Sequence, residues 1–176
     1  MTVAAVVLAA GAATRFGAPK QNLLLPDVLA RVRDAGLHEI VVVAGAHRVE
    51  TDASTVRCAH WELGPGASLR CGLEALSPAA EAAIVLLADG PDLARAAIDR
   101  VISAWRRERV PLVSASYGGV RGHPLLLARE EWGDVPDEGL RTRTPLLVPC
   151  DDLGSPGDVD QPSDLPQRFR QESSES

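Results

Sequence analysis

Residues 3–8, Val3-Ala4-Ala5-Val6-Val7-Leu8, form an unbroken apolar run that gives way at once to Ala9, Ala10 and Gly11. A strand with one face in water alternates apolar and polar residues, whereas a strand covered on both faces does not. The chain therefore opens on a central strand, which calls for a sheet with helices on both sides. Further apolar runs at 40–44, 83–88, 112–115 and 146–148 repeat the signal. Helix signals fall between most of them, at 27–35 with Gly36 as a stop, 68–76, 94–107 and 163–170. In the third, Leu93, Ala97, Ile98, Val101, Ile102 and Trp105 recur at helical spacing and make one apolar stripe. Gly118, Gly119 and Gly122, between apolar residues 112–115 and 125–127, predict a hairpin near one end of the sheet. The expected fold is α/β: a mostly parallel sheet flanked by helices, with a small hairpin element.

With 176 residues the chain is read as one domain, residues 1–166, followed by a polar, apolar-poor flexible tail at 167–176. Aromatic residues are only 3%, so the core has to be built from Ala, Val and Leu. Trp61, Trp105 and Trp132 each adjoin an apolar segment and read as packing residues. A formal charge of -6 argues against nucleic acid, since binding a polyanion needs clustered Lys and Arg. Cys58, Cys71 and Cys150 are odd in number and widely spaced, and read as buried thiols of a cytoplasmic protein. No apolar run reaches the roughly 20 residues that span a bilayer.

The connection after the first strand, residues 8–20, is rich in small residues and carries Arg15 and Lys20. Small side chains let backbone N–H groups approach an anion, and two cations could add to them to neutralise a triphosphate. The position fits as well, because open parallel sheets bind ligands at the carboxyl ends of their strands. Neither a P-loop nor the dinucleotide fingerprint is present, since the Gly-Lys-Ser/Thr and Gly-x-Gly-x-x-Gly spacings are missing. An Arg and a Lys in an isolated surface loop would ordinarily be solvated charges; the glycine frame and the strand end favour phosphate.

This loop resembles the signature of the molybdenum cofactor nucleotidyltransferases, the MobA and MocA group, and the likeness continues downstream. Residues 61–73, with the core Gly-Pro-Gly-Ala-Ser-Leu-Arg-Cys-Gly-Leu, are similar to the segment that lies against the nucleotide base in that family. Leu87-Ala88-Asp89-Gly90-Pro91 resembles its metal-binding strand end. Residues 117–124, ending Arg121-Gly122-His123-Pro124, are similar to its Gly-Asn/His-Pro element, and residues 158–165 to its closing Asp-x-Asp-Thr-Pro-Glu-Asp-Leu stretch. Relatives usually carry Ser where Ala13 stands and Gln where Gly90 stands, and have a longer loop before the first helix and a full helix after Gly139.

The resemblance implies a Rossmann-like nucleotidyltransferase that uses Mg²⁺, binds CTP or GTP, and moves the nucleotidyl group to molybdopterin or a similar phosphorylated small molecule, releasing pyrophosphate. Ala9-Ala10-Gly11 favours CTP, because the guanylyl branch tends to have Gly at the second of these positions. Leu8, Ala9, Ala10, Gly11, Arg15, Lys20, Gly66 and Ser68 would bind the nucleotide. Lys20, Arg15 and Asp89 would be catalytic, Asp89 and Asp160 would hold the metal, and His123 and Asp158 would line the acceptor cleft. The residues alone leave rival readings open: a helix N-cap, favoured for Asp92 and an alternative for Asp89; local turn bonding for Asp158 and Asp160; a simple turn role for His123. A sugar- or polyol-phosphate nucleotidyltransferase would use the same residues, and a non-catalytic nucleotide-binding module would keep the same first loop. The partners expected are the two substrates and, transiently, an enzyme that receives the finished cofactor, with no membrane involved.

Overall fold

The computed structural model describes residues 2–11, 20–157 and 162–170, without the side chains of Lys20, Gln21 and Pro162. The strands β1 (Val3–Ala9), β2 (Ile40–Ala44), β3 (Ser54–Arg57), β4 (Ala82–Leu87), β5 (Leu112–Tyr117), β6 (Val120–Ala128) and β7 (Leu146–Pro149) form one sheet in the order β3-β2-β1-β4-β6-β5-β7. Only β6 runs antiparallel to its neighbours, β4 and β5. Helices α1 (Lys20–Asp34) and α3 (Arg95–Glu108) cover one face and α2 (Pro65–Glu74) the other; α4 (Gln167–Arg170) closes the described chain.

The first apolar run is accounted for by this arrangement. β1 pairs in parallel with both β2 and β4, so its backbone groups are bonded on both edges. Ala5 and Val7 belong to the core under α1 and α3, whereas Ala4 and Val6 belong to the core under α2. The α2 face leaves almost no space above β1: a Cβ on Gly72 would stand 2.5 Å from Val6 Cγ1 and 2.8 Å from Val43 Cγ2. The α3 stripe is buried as its spacing predicts, with Ala97, Ile98 and Val101 fully enclosed. The predicted hairpin joins β5 to β6, and Gly118 and Gly119 both have positive φ, 60° and 77°, as a tight turn of that hand requires.

Several boundaries differ from the expectation. α1 begins at Lys20 instead of Asp27 and carries Pro26 in its interior. An interior proline costs about 3 kcal/mol. Burial of Leu24 and Leu25, each worth about 1.5–3 kcal/mol, offsets it by extending the helix across two cores. β3 was not anticipated, because Ser54–Arg57 is an edge strand with no buried residue and so lacks an apolar run. The tail boundary also moves. Residues 167–170 are helical, and Phe169 packs with Leu165 against Leu24 of α1. Arg168 bonds Asp27 at 3.2 Å, Asp92 at 3.1 Å and the Pro91 carbonyl at 3.0 Å. Asp92 thus ties the C-terminal segment down instead of capping α3, whose N-cap is Ala94.

The cysteines are not all thiols. Cys58, just after β3, and Cys71 in α2 are joined as a disulfide with their Cα atoms 5.8 Å apart, and Cys150 is the buried free thiol. Thirteen residues separate the pair in sequence, and the turn of chain back onto β1 and β2 brings them together. Among the described residues no helix is long and apolar enough to cross a membrane.

Candidate nucleotide and acceptor site

The carboxyl ends of β1, β2 and β4 and the beginning of β6 meet at one edge of the sheet, which collects the described site residues. At the end of β1, the Leu8 carbonyl accepts a hydrogen bond from Ala88 N–H at 3.0 Å and the Ala10 carbonyl one from Ala46 N–H at 3.4 Å. Gly45 makes that second approach feasible, since a Cβ there would lie 2.5 Å from Ala10 O and 2.8 Å from Trp61 Cγ. Ala9 and Ala10 are buried and Gly11 is exposed, so the chain leaves the core at Gly11. Asn22 of α1 steadies the neighbouring loop, accepting from Glu50 N–H at 3.0 Å and donating to Arg48 O at 3.4 Å.

Asp89 lies two residues past the end of β4 and is half-buried. Gly90 lies beneath Pro156, whose Cβ would be 3.2 Å from a Cβ at position 90, so a longer side chain there would meet this proline. His123 stands near the start of β6; continuing the β4–β6 register sets it opposite Leu87, two residues before Asp89. Its peptide bond to Pro124 is cis, and its carbonyl accepts the Tyr117 hydroxyl at 2.8 Å. Burial pushes the His123 imidazole down to about 4, the charge on Arg121 adds to that, and the carboxylate of Asp89 pulls the other way. Asp89 and His123 are therefore close enough to feel each other, and His123 is neutral at pH 7.

A cleft of about 500 Å³ opens beside them, with Leu87, Gly90, Tyr117, Arg121, His123 and Pro156 among its walls. Burial also raises the Tyr117 hydroxyl to about 12, so it stays a proton donor. Arg121 carried no assigned role in the sequence. The signal was present as the residue that opens Arg-Gly-His-Pro, but its surroundings are visible only in the fold.

Gly66 and Ser68 lie in the first turns of α2. Gly66 N–H donates to Asp137 O at 2.9 Å, and a Cβ at 66 would stand 1.7 Å from Pro136 O, so packing against the 136–139 segment accounts for this glycine. Ser68 is buried. Trp61, Trp105 and Trp132 are packing residues: Trp105 is in the core, Trp61 leans on the α2 face, and Trp132 donates to Leu127 O at 3.1 Å. Arg15, Ala13, Asp158, Asp160 and the side chain of Lys20 lie outside the described residues. Among the described residues no group of three or more His, Cys, Asp or Glu side chains converges as a metal cage.

Comparison with known proteins places this geometry. The family model described as MobA-like NTP transferase domain matches residues 5–138, well over half of the chain. No curated protein matches at a significant level. Among solved structures, the Mycobacterium sp. strain JC1 homologue of Mycobacterium tuberculosis rv0371c superposes with a TM-score of 0.77 at 26% identity, covering 96% of each chain. Rv0371c from Mycobacterium tuberculosis H37Rv gives 0.73 at 26% identity, covering 100% of this chain and 99% of its own. The same protein in complex with manganese gives 0.66 at 23% identity over 100% of both chains. The β1 edge, the Asp89 turn and the His123 strand all lie within the matched span, and the chain belongs to the MobA-like NTP transferase family.

Proposed function

We propose that the protein transfers a nucleoside monophosphate, CMP in preference to GMP, from a nucleoside triphosphate to molybdopterin or a closely similar phosphorylated small molecule, releasing pyrophosphate. The observation that carries this reading is the meeting of the β1 end, Asp89 and His123 at one sheet edge beside a cleft of about 500 Å³. An acceptor phosphate oxygen forms a bond to the α-phosphorus while the bond from that phosphorus to the bridging oxygen breaks, and the electron pair leaves with pyrophosphate. The protein's task is to align two anions and spread the growing charge.

The backbone from Leu8 to Gly11 would guide the triphosphate, Lys20 would balance charge on its phosphates, and Arg15 would hold the departing pyrophosphate. Asp89 suits Mg²⁺: it is a half-buried carboxylate at the edge of a substrate cleft, and this ion takes one or two carboxylates plus substrate phosphates. Asp160 would complete the pair. When bound, Mg²⁺ supplies charge neutralisation and polarises the phosphate. The manganese complex of the mycobacterial relative supports a divalent ion in this family. Neutral His123 would offer the acceptor a hydrogen bond without adding charge, and Asp158 is assigned to the acceptor by the sequence resemblance. Ala10 is buried beside Gly45 and Trp61, and a methyl instead of glycine at this position of the sequence supports the smaller pyrimidine base.

The test is incubation with each nucleoside triphosphate, Mg²⁺ and molybdopterin, following pyrophosphate release. CTP with molybdopterin is expected to give the largest rate. Release only with a sugar or polyol phosphate would reassign the acceptor, and no release with any pairing would remove the transferase reading.

A further inference from the structure

Several arginines that tie segments of this protein together have acidic partners, Arg70 with Asp137, Arg100 with Asp152, Arg143 with Glu131, and Arg168 with Asp27 and Asp92, whereas Arg129, just past the far end of β6, bonds the carbonyls of Ser77 and Ala80 and lies against the Trp132 ring. Arg121 has no acidic partner among the described residues. Its Nη1 donates to the carbonyls of Leu140 and Arg143, both at 2.9 Å, and the side chain is half-buried in the wall of the cleft that also holds His123. Burial lowers its pKa. Two carbonyl dipoles aim the guanidinium, and among the described residues no carboxylate cancels its charge, which leaves it suited to an anion that enters the cleft.

The carbonyl bonds have a second consequence. Both fall on Nη1, so among the described residues Nε and Nη2 remain as the parallel pair with which a guanidinium grips a phosphate or carboxylate. The Leu140–Arg143 turn that fixes this orientation is itself held, since Arg143 bonds Glu131.

We propose that Arg121 is the acceptor-recognising residue of this site: it binds an anionic group of the acceptor, a phosphate by preference, and restricts the acceptor to compact anionic molecules that fit the cleft beside His123. The inference rests on the acceptor side of the proposed transferase site, and it separates from that reading in the following test.

The full chain, labelled with nitrogen-15, is titrated with inorganic phosphate in the presence of Mg²⁺ and saturating α,β-methylene CTP, which occupies the triphosphate loop. The Gly122 amide resonance reports the cleft. Native protein is expected to show saturable shifts, and Arg121→Gln to weaken phosphate binding at least tenfold while its affinity for the CTP analogue changes less than twofold. Arg121→Lys keeps the charge without the fork and is expected to fall between; it carries the test if the glutamine variant does not fold. Phosphate binding within twofold of native in a folded variant would overturn the proposal, leaving the transferase reading intact. Failure of native protein to bind the CTP analogue, with Arg121-dependent phosphate shifts retained, would overturn the transferase reading and support the anion site.

Discussion

At the scale of single residues, the site divides into groups that motifs announce and groups that only the fold reveals. In the proposed site Lys20 and Asp89 would be of the first kind, because a loop after a buried strand and an acid at a strand's end carry their position in the sequence. Lys20→Ala is expected to lower kcat about 10²-fold or more while leaving the melting temperature unchanged, measured by pyrophosphate release and thermal denaturation. An unaltered kcat would remove Lys20 from the transition state. His123 belongs partly to the second kind. Its place in Arg-Gly-His-Pro was legible, but its neutrality was not, since that depends on burial and on Arg121. The imidazole titrates at about 4 when folded. Unfolded it titrates near about 6.5, so between these values the unfolded chain binds more protons and stability rises with pH. His123's contribution is therefore complete above that upper value and is lost as pH falls toward the lower one. Urea denaturation across this window should show a slope that His123→Asn flattens; identical slopes would contradict a neutral buried imidazole. Arg121 was illegible for a different reason, because its place in the cleft wall and its aim by the Leu140 and Arg143 carbonyls are properties of space and not of spacing.

At the scale of elements, runs and stripes predicted what they could physically report. A strand buried on both faces and a helix with one apolar stripe leave periodic traces, and β1, β2 and α3 were recognisable from them. β3 leaves no trace because its residues are not buried, and the start of α1 was masked by Pro26, whose local penalty is offset only by cores that other elements build. The N-terminal turn of α2 shows how closely elements constrain one another. Gly66 is pressed against the backbone of Pro136, and Arg70 holds the same segment through Val135 O at 2.6 Å and through Asp137. Because the clash at position 66 is with backbone, Gly66→Ala has no flexible side chain to displace. It is expected to cost about 1–3 kcal/mol in urea denaturation, and more if the 136–139 segment detaches. Stability equal to native would mean that this segment yields freely, and the packing account of Gly66 would fail.

At the scale of the whole molecule, the sheet centre and its flanks are held by different means. The centre is bonded on both edges and buried on both faces, whereas the β3 flank is an exposed edge strand joined to α2 by Cys58–Cys71. The opposite flank, β7, is fastened by Arg100, which reaches both carboxylate oxygens of Asp152 at 2.7 Å. A cross-link that closes a loop of this size is worth about 3 kcal/mol through the entropy of the unfolded chain. In a protein of this length that corresponds to a melting-temperature change of about 6–12 °C. Reduction, or Cys71→Ser, is therefore expected to lower the melting temperature by that order. The loss should be uneven, because α2 keeps its packing through Leu69, Gly72 and Leu73 while β3 has only one neighbouring strand. Hydrogen exchange should accelerate over residues 54–57 before β1 and β4 respond. Equal melting with and without reductant would show that the flank is already ordered in the unfolded reference. Equal acceleration in β1 would show instead that the sheet opens as one unit, and then the bridge would guard the nucleotide edge as well as the flank that carries it.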